Sequence, residues 1–201
     1  MTSDTTHITG NGLKMDDFKN VLGKDIKTLD KDILEIQGKP FDVIRHKIGT
    51  LYSEFQSRVM CEDTSFGDDD MGATIKYLIK SCNKNGGDLY NVMKGIFGEK
   101  EFIDYTSIVA YKDETDEAFF ESRAECILCA RTGSGMIDPF AIPVKIITKK
   151  YVNGVETLLG EMILDNPDRL SIQQQPAKRP LLHARYFSLR AYSEWKKMKD
   201  I

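Results

Sequence analysis

The sequence has no long hydrophobic run. Its apolar stretches last only a few residues, and Lys145 interrupts even the run at 142–147, so no segment is long enough to cross a bilayer. The start of the chain also lacks the cationic and apolar regions of a secretory signal. We therefore expect an intracellular, cytoplasmic protein, either soluble or peripheral to a membrane.

Catalytic motifs are also scarce. The sequence has three histidines, and none lies in a serine-hydrolase or zinc-protease motif. The glycines at 133 and 135 lack the Lys-Ser/Thr pair and the helix that complete a phosphate-binding loop. The aspartates at 68–70 are typical of a helix N-terminus, since three consecutive carboxylates do not converge on one cation. We predict no catalytic residue, no metal ligand and no cofactor.

Only four cysteines are present, and two of them, Cys126 and Cys129, form a C-x-x-C motif. A zinc site or a redox pair is the alternative that this motif raises. The surrounding alternation of small and apolar residues predicts a strand, in which residues three apart point to opposite faces. We therefore predict free, packing cysteines.

Two helical patterns occupy the first part of the chain. Apolar residues recur at steps of three and four from Phe18 to Ile36 and again from Phe41 to Phe55, with Gly38 and Pro40 between them. The stripes predict an antiparallel αα-hairpin, or a seam for a second copy of the chain. The alternative is a pair of short strands around residues 38–39. The self-association residues are Leu22, Leu29, Ile36, Ile44 and Leu51.

The rest of the chain changes from helical to strand patterns. Two shorter helices are expected from Asp70 and from Asp88, and about four antiparallel strands follow residue 98, with an Asn153-Gly154 hairpin turn and an edge or bulge at Pro143. The predicted fold class is α+β, with N-terminal helices followed by an antiparallel sheet and a C-terminal strand or helix. The predicted regions are a disordered start at 1–13, a mainly helical region at 14–98, a β region at 99–175 and a tail at 176–201.

The tail carries the clearest functional signal. It holds seven cations against two acidic residues, a net charge of +5, whereas the whole chain has a net charge of −3. Such asymmetry indicates contact with an anion, either RNA or an acidic membrane surface. The alternative is a packed terminal helix with a wet cationic face. The predicted contact residues are Lys178, Arg179, Arg185, Tyr186, Arg190, Tyr192, Trp195, Lys196, Lys197 and Lys199.

Size and charge layout favour a non-enzymatic structural or assembly protein. We expect a homo-oligomer that contacts its anionic partner through the tail, and a protein of the viral matrix or nucleocapsid-associated type fits this description. The first alternative is an RNA-binding accessory protein, although such proteins usually carry a basic domain. The second is an enzyme with a cysteine-based site.

Overall fold

The computed structural model describes residues 5–34, 36–66, 95, 103–133, 136–163 and 184–199. In these ranges it contains seven strands and three helices. The elements in chain order are β1 (Thr6–Ile8), α1 (Gly12–Leu22), β2 (Thr28–Leu29), α2 (Pro40–Phe55), β3 (Val59–Phe66), β4 (Ile103–Lys112), β5 (Glu117–Gly133), β6 (Met136–Val152), β7 (Val155–Ile163) and α3 (Ala184–Lys199).

The strands form one mixed sheet in the order β2-β1-β3-β4-β5-β6-β7. β1 runs parallel to both of its neighbours, and the strands from β3 to β7 are antiparallel. Successive residues of a strand face opposite sides, so the sheet buries two apolar clusters. α2 packs on one face, where Val59 and Cys61 lie, and α1 and α3 pack on the other with Met60.

The second helical pattern is confirmed. α2 begins at Pro40, whose missing N–H and fixed φ suit a first turn, and it ends where Gln56 adopts a left-handed conformation. Its stripe buries Ile44, Ile48 and Leu51 completely against the sheet.

The first helical pattern is wrong beyond Leu22. α1 ends there because Gly23 takes a φ of +112°, a conformation that favours glycine. Leu29 then lies in β2, and Ile36 is 37% exposed in the segment before α2. The αα-hairpin therefore does not form, because a strand separates the two helices.

The predicted fold class is also wrong. The first described element is a strand, and a seven-stranded mixed sheet replaces N-terminal helices followed by a four-stranded antiparallel sheet. Residues 6–8, which we expected to be disordered, form β1 and are buried between β2 and β3. A three-residue strand of Thr, His and Ile is too short to show a periodic pattern.

In the antiparallel part of the sheet, the predicted hairpin turn and the predicted irregularity at Pro143 are both found. Asn153 and Gly154 both have positive φ and join β6 to β7 in the expected hairpin. The register between β5 and β6 shifts at Cys126, opposite Pro143. The two helices expected from Asp70 and Asp88 lie outside the described residues. No helix in the described ranges is both long and apolar enough to span a membrane.

Candidate active site

The carboxyl ends of three parallel strands meet at one edge of the sheet. Ile8 ends β1 beside Cys61, whereas β3 continues through Glu62 and Asp63. α1 connects β1 to β2 on one side, and α2 leads from β2 to β3 on the other, so the chain reverses direction across β1. Such a reversal leaves a crevice at the strand ends, where α/β proteins commonly bind ligands.

A polar, glycine-containing loop follows β1 into this crevice. The N–H of Asn11 donates to Thr9 Oγ1 at 3.2 Å, and the Asn11 carbonyl accepts from Lys14 N and Met15 N in the first turn of α1. Gly10 passes so close to the next loop that an added Cβ would lie 3.0 Å from the Cα of Asp32. The loop thus places the N-terminus of an 11-residue helix at the crevice.

The crevice contains a cavity of about 290 Å³. Three lysines from three different elements line it: Lys14 from α1, Lys31 from the loop after β2, and Lys47 from α2. Asp32 and Glu62 also line it. Three cations around one small cavity, beside a helix N-terminus, suit an anion with several phosphate oxygens.

Glu62 is the most buried charge of the site, with a fully buried side chain. Its Oε2 lies 2.7 Å from Lys14 Nζ, and its Oε1 accepts hydrogen bonds from Arg185 Nε at 3.1 Å and Ser107 Oγ at 2.8 Å. Burial by itself would raise the pKa of Glu62, but Arg185 and Lys14 together outweigh it and lower that pKa to about 2. Glu62 is therefore an anion held between two cations.

Asp63 follows Glu62 on β3 and faces the α2 side of the sheet. Its Oδ1 lies 3.1 Å from Lys47 Nζ and 3.8 Å from Lys14 Nζ. Lys14 therefore contacts both carboxylates, and two lysines of the cavity share Asp63. A carboxylate beside a cation-lined cavity can accept a proton from a water molecule.

Arg185 connects the site to α3. Its Nη1 lies 2.6 Å from Asp17 Oδ2 of α1, while its Nε bonds Glu62 of β3. Burial disfavours the guanidinium, but Glu62 and Asp17 more than offset that cost and raise the pKa of Arg185. Three elements are thereby joined by one half-buried side chain.

The predicted tail contacts are distributed over α3. Tyr192 and Trp195 are buried in the aromatic cluster with Tyr111 and Phe120. Lys178 and Arg179 lie outside the described residues. Contact of the tail with an anion is not tested and stays a prediction. The other tail residues are Tyr186 and Lys196, which are half-buried, Lys197, which is exposed, Arg190, which pairs with Glu194, and Lys199, which pairs with Asp116.

The predicted self-association residues also spread over different environments. Ile44 and Leu51 lie on α2 and are buried in the core between this helix and the sheet. Leu22 and Leu29 are half-buried. Ile36 is exposed. A homo-oligomer remains a prediction, since the structure contains one chain.

Two cysteines are described as free and buried. The prediction of unpaired thiols is confirmed for Cys61 and Cys126, and burial raises the pKa of each to about 12. Within the described ranges, no three His, Cys, Asp or Glu side chains lie close enough to share a metal ion.

Sequence reasoning missed Lys14, Lys47, Glu62 and Asp63. Available signals were the Thr-Gly-Asn-Gly segment just before a helix and the acidic pair directly after an apolar strand. Each is common by itself, and the two are about fifty residues apart in the chain. Only the parallel pairing of β1 with β3 brings them together.

No family model matches the sequence. Over 100 residues the chain is 34% identical to an inosine triphosphate pyrophosphatase of Schizosaccharomyces pombe, an alignment that covers 47% of this chain and 52% of that protein. The chain thus spans about half the length of the curated relative it matches.

Two solved structures share the architecture over nearly the whole chain. The Ham1 protein of Staphylococcus aureus superposes with a TM-score of 0.54 at 11% identity, covering 96% of this chain and 99% of that one. A HAM1 protein of Coxiella burnetii gives a TM-score of 0.60 at 10% identity, covering 97% and 99%.

These similarities overturn the function predicted from the sequence. The matched relative is an enzyme, so the hypothesis of a non-enzymatic, self-assembling structural protein of the viral matrix or nucleocapsid type is wrong. RNA binding through the tail stays a prediction. The alternative of a cysteine-based site concerned Cys126 or Cys129. Burial raises the pKa of Cys126, which disfavours it as a nucleophile, and the side chain of Cys129 lies outside the described residues. The mixed sheet with its crossing helices is the fold of the Ham1 proteins.

Proposed function

We propose that this protein hydrolyses a nucleoside triphosphate to the nucleoside monophosphate and pyrophosphate. Inosine triphosphate is the first substrate to test, because the relative with 34% identity is named for it. The observation that carries the proposal is the cavity at the carboxyl ends of β1, β2 and β3, lined by three lysines and bordered by two adjacent carboxylates.

The lysines bind the triphosphate, which enters as its magnesium complex. Lys14, Lys31 and Lys47 approach the cavity from three directions, so they can neutralise oxygens on more than one phosphate. The loop at 9–12 and the start of α1 add backbone N–H groups and the positive end of the helix dipole. The ion pairs of Lys14 and Lys47 with Asp63 fix both ammonium groups before the substrate arrives.

Asp63 accepts the proton of the attacking water. The water oxygen bonds to the α-phosphorus, the bond from that phosphorus to the bridging oxygen breaks, and pyrophosphate leaves with the bridging oxygen. The lysines stabilise the charge that develops on the leaving pyrophosphate. Glu62, with its lowered pKa, stays an anion and holds Lys14 in place.

An intracellular location is part of the proposal. The buried free thiols Cys61 and Cys126 are typical of proteins that fold in a reducing compartment. Nucleoside triphosphates are also found inside cells.

The test is a pyrophosphate-release assay with inosine, xanthosine, adenosine and guanosine triphosphates and Mg²⁺. We expect release from at least one of them. Asp63→Asn and Lys47→Met should each lower kcat/KM about a hundredfold, the typical cost of losing a group that acts in the transition state.

Lys197→Met is the matched control, since it removes one positive charge from an exposed site on α3. It should leave kcat/KM unchanged. A folded wild-type protein that releases no pyrophosphate from any of the four substrates would overturn the proposal. So would full activity in Asp63→Asn.

A further inference from the structure

Two buried serines lie in contact with each other, and one of them contacts Glu62 at the cavity. Ser107 of β4 and Ser188 of α3 are both fully buried, with their Oγ atoms 2.9 Å apart. Ser107 Oγ donates to Glu62 Oε1 at 2.8 Å, and Ser188 Oγ lies 3.0 Å from the carbonyl oxygen of Arg185. The pair thus connects α3 to the anion beside the cavity.

Each hydroxyl has one proton to give. The Ser107 proton goes to Glu62, because a carboxylate is the stronger acceptor and the bond is charge-assisted. Ser107 is then the acceptor in the serine pair, and Ser188 can donate either to Ser107 or to the Arg185 carbonyl. When Ser188 donates to Ser107, that donation polarises the bond from Ser107 to Glu62 and strengthens it.

The two carboxylate oxygens of Glu62 therefore have different partners. Oε1 is held by Ser107 and Arg185, whereas Oε2 contacts Lys14, the lysine that lines the cavity. A phosphate that attracts Lys14 draws it away from Oε2. The carboxylate keeps its orientation during that exchange because its other oxygen retains two donors.

We propose that the Ser107–Ser188 pair is a positioning device that holds Glu62 so that Lys14 stays directed at the phosphates. The inference rests on the proposed function for its kinetic readout. It predicts that removing the Ser107 hydroxyl lowers kcat/KM more than removing the Ser188 hydroxyl. Ser107 acts on Glu62 directly, and Ser188, which has no contact with Glu62 itself, acts through its contact with Ser107.

The kinetic test compares Ser107→Ala, Ser188→Ala and the double variant in the pyrophosphate-release assay. We expect kcat/KM to fall about tenfold in Ser107→Ala, the cost of one hydrogen bond to a charged group, and by less in Ser188→Ala. The double variant should match Ser107→Ala, because Ser188 has nothing left to act on. Wild-type kcat/KM in Ser107→Ala overturns the inference, and so do losses that simply multiply.

Ser122→Ala is the matched control. Ser122 lies directly across from Ser107 on β5, is equally buried, and contacts Thr148 rather than Glu62. It should keep wild-type kcat/KM, and an equal loss there would show that any buried hydroxyl matters and would overturn the inference. If Ser107→Ala does not fold, Ser107→Cys keeps a weaker donor in a similar volume and should show a smaller loss in the same direction.

A second readout does not require activity. The Lys14 side chain is 9% exposed and ion-paired, so its ammonium protons should exchange slowly enough to give a ¹⁵N-correlated NMR signal, assigned with Lys14→Met. Ser107→Ala should broaden or shift that signal, and Ser122→Ala should not. An unchanged Lys14 signal in Ser107→Ala overturns the inference even if the wild type is inactive. An inactive wild type with a shifted signal overturns only the proposed function.

Discussion

Two buried ionisable residues, Glu62 and His7, show how neighbouring charges determine whether a buried side chain stays charged. Glu62 stays charged because Arg185 and Lys14 outweigh its burial. His7 has no opposing carboxylate: its ring lies between Phe18 and Tyr192, Nδ1 donates to the Lys27 carbonyl at 3.2 Å, and Nε2 has no partner among the described residues. Burial first, and then the charge of Lys196, lower the pKa of His7 to about 4.

His7 should make the protein sensitive to mild acid. Because the pKa of His7 is lower in the folded state than its usual value of 6.5, the unfolded state takes up the proton first. The free energy of unfolding should be insensitive to His7 above pH 6.5 and fall by about 3 kcal/mol between pH 6.5 and pH 4. Urea denaturation at several pH values across that range measures this change in the free energy of unfolding.

His7→Gln should remove most of this slope, although it starts from a lower stability. His46→Gln, at an exposed position of α2, should keep the wild-type slope. The stability that Glu62 contributes is present above pH 4.5 and is lost between pH 4.5 and about 2, so above pH 4.5 the slope reports His7 without Glu62. A slope that persists in His7→Gln contradicts the assignment.

At the scale of elements, the contact between the loops after β1 and β2 shapes the cavity. Thr9 N donates to the Leu29 carbonyl, Lys31 N donates to the Thr9 carbonyl, and Gly10 lies against the backbone of Asp32. Backbone that close leaves no room for a side chain at Gly10. The position of the loop that holds Lys31 therefore depends on Gly10, which lies on the loop after β1.

Gly10→Ala should separate these two loops. An added Cβ would meet Asp32 Cα at 3.0 Å and Asp32 N at 3.1 Å, and backbone cannot move aside as a flexible side chain can. We expect kcat/KM for the nucleoside triphosphate to fall about tenfold, since small displacements of binding groups are costly. The melting temperature should fall by a few degrees, about 1 kcal/mol.

Gly12→Ala is the control for this change. An added Cβ at Gly12 meets no other atom within 4 Å, and the residue begins α1. Stability there should be unchanged or rise by about 0.5 kcal/mol. An equal loss of stability in the two variants would contradict the close-contact explanation.

At the scale of the molecule, α3 closes the face of the sheet that α1 leaves open. Leu189, Tyr192 and Trp195 pack on Tyr111 and Phe120, in an aromatic cluster that also contains Phe18 of α1. Arg185, at the start of the same helix, completes the ion pairs at the cavity. The C-terminal helix thus belongs to both the core and the site.

Trp195→Ala should therefore lower global stability. Trp195 is 4% exposed, and truncating a buried tryptophan costs about 3–5 kcal/mol. The melting temperature should fall by roughly 10 °C or more. Met198→Ala, three residues later on the same helix and 73% exposed, should change it little. A small effect of Trp195→Ala would show that the ring is not a core residue.

The parts of the fold that could be predicted are those with local signals. Proline at the start of α2 and its apolar spacing fixed that helix, and Asn153-Gly154 fixed a hairpin. The first helix was extended too far because residues from Leu29 to Ile36 happen to continue its spacing. None of the four charged residues Lys14, Lys47, Glu62 and Asp63 was recognised, since each is ordinary in its own segment.

The sequence by itself determined where strands, turns and helix ends can occur, because backbone sterics and apolar spacing act over a few residues. It did not determine that β1 inserts between β2 and β3, since that pairing joins residues more than fifty positions apart. The tertiary structure decided the site: parallel pairing brings the loop after β1 to the acidic end of β3, and packing of α3 brings Arg185 to Glu62. Charged side chains that are distant in the chain come together there, because a buried charge is tolerated only beside an opposite charge.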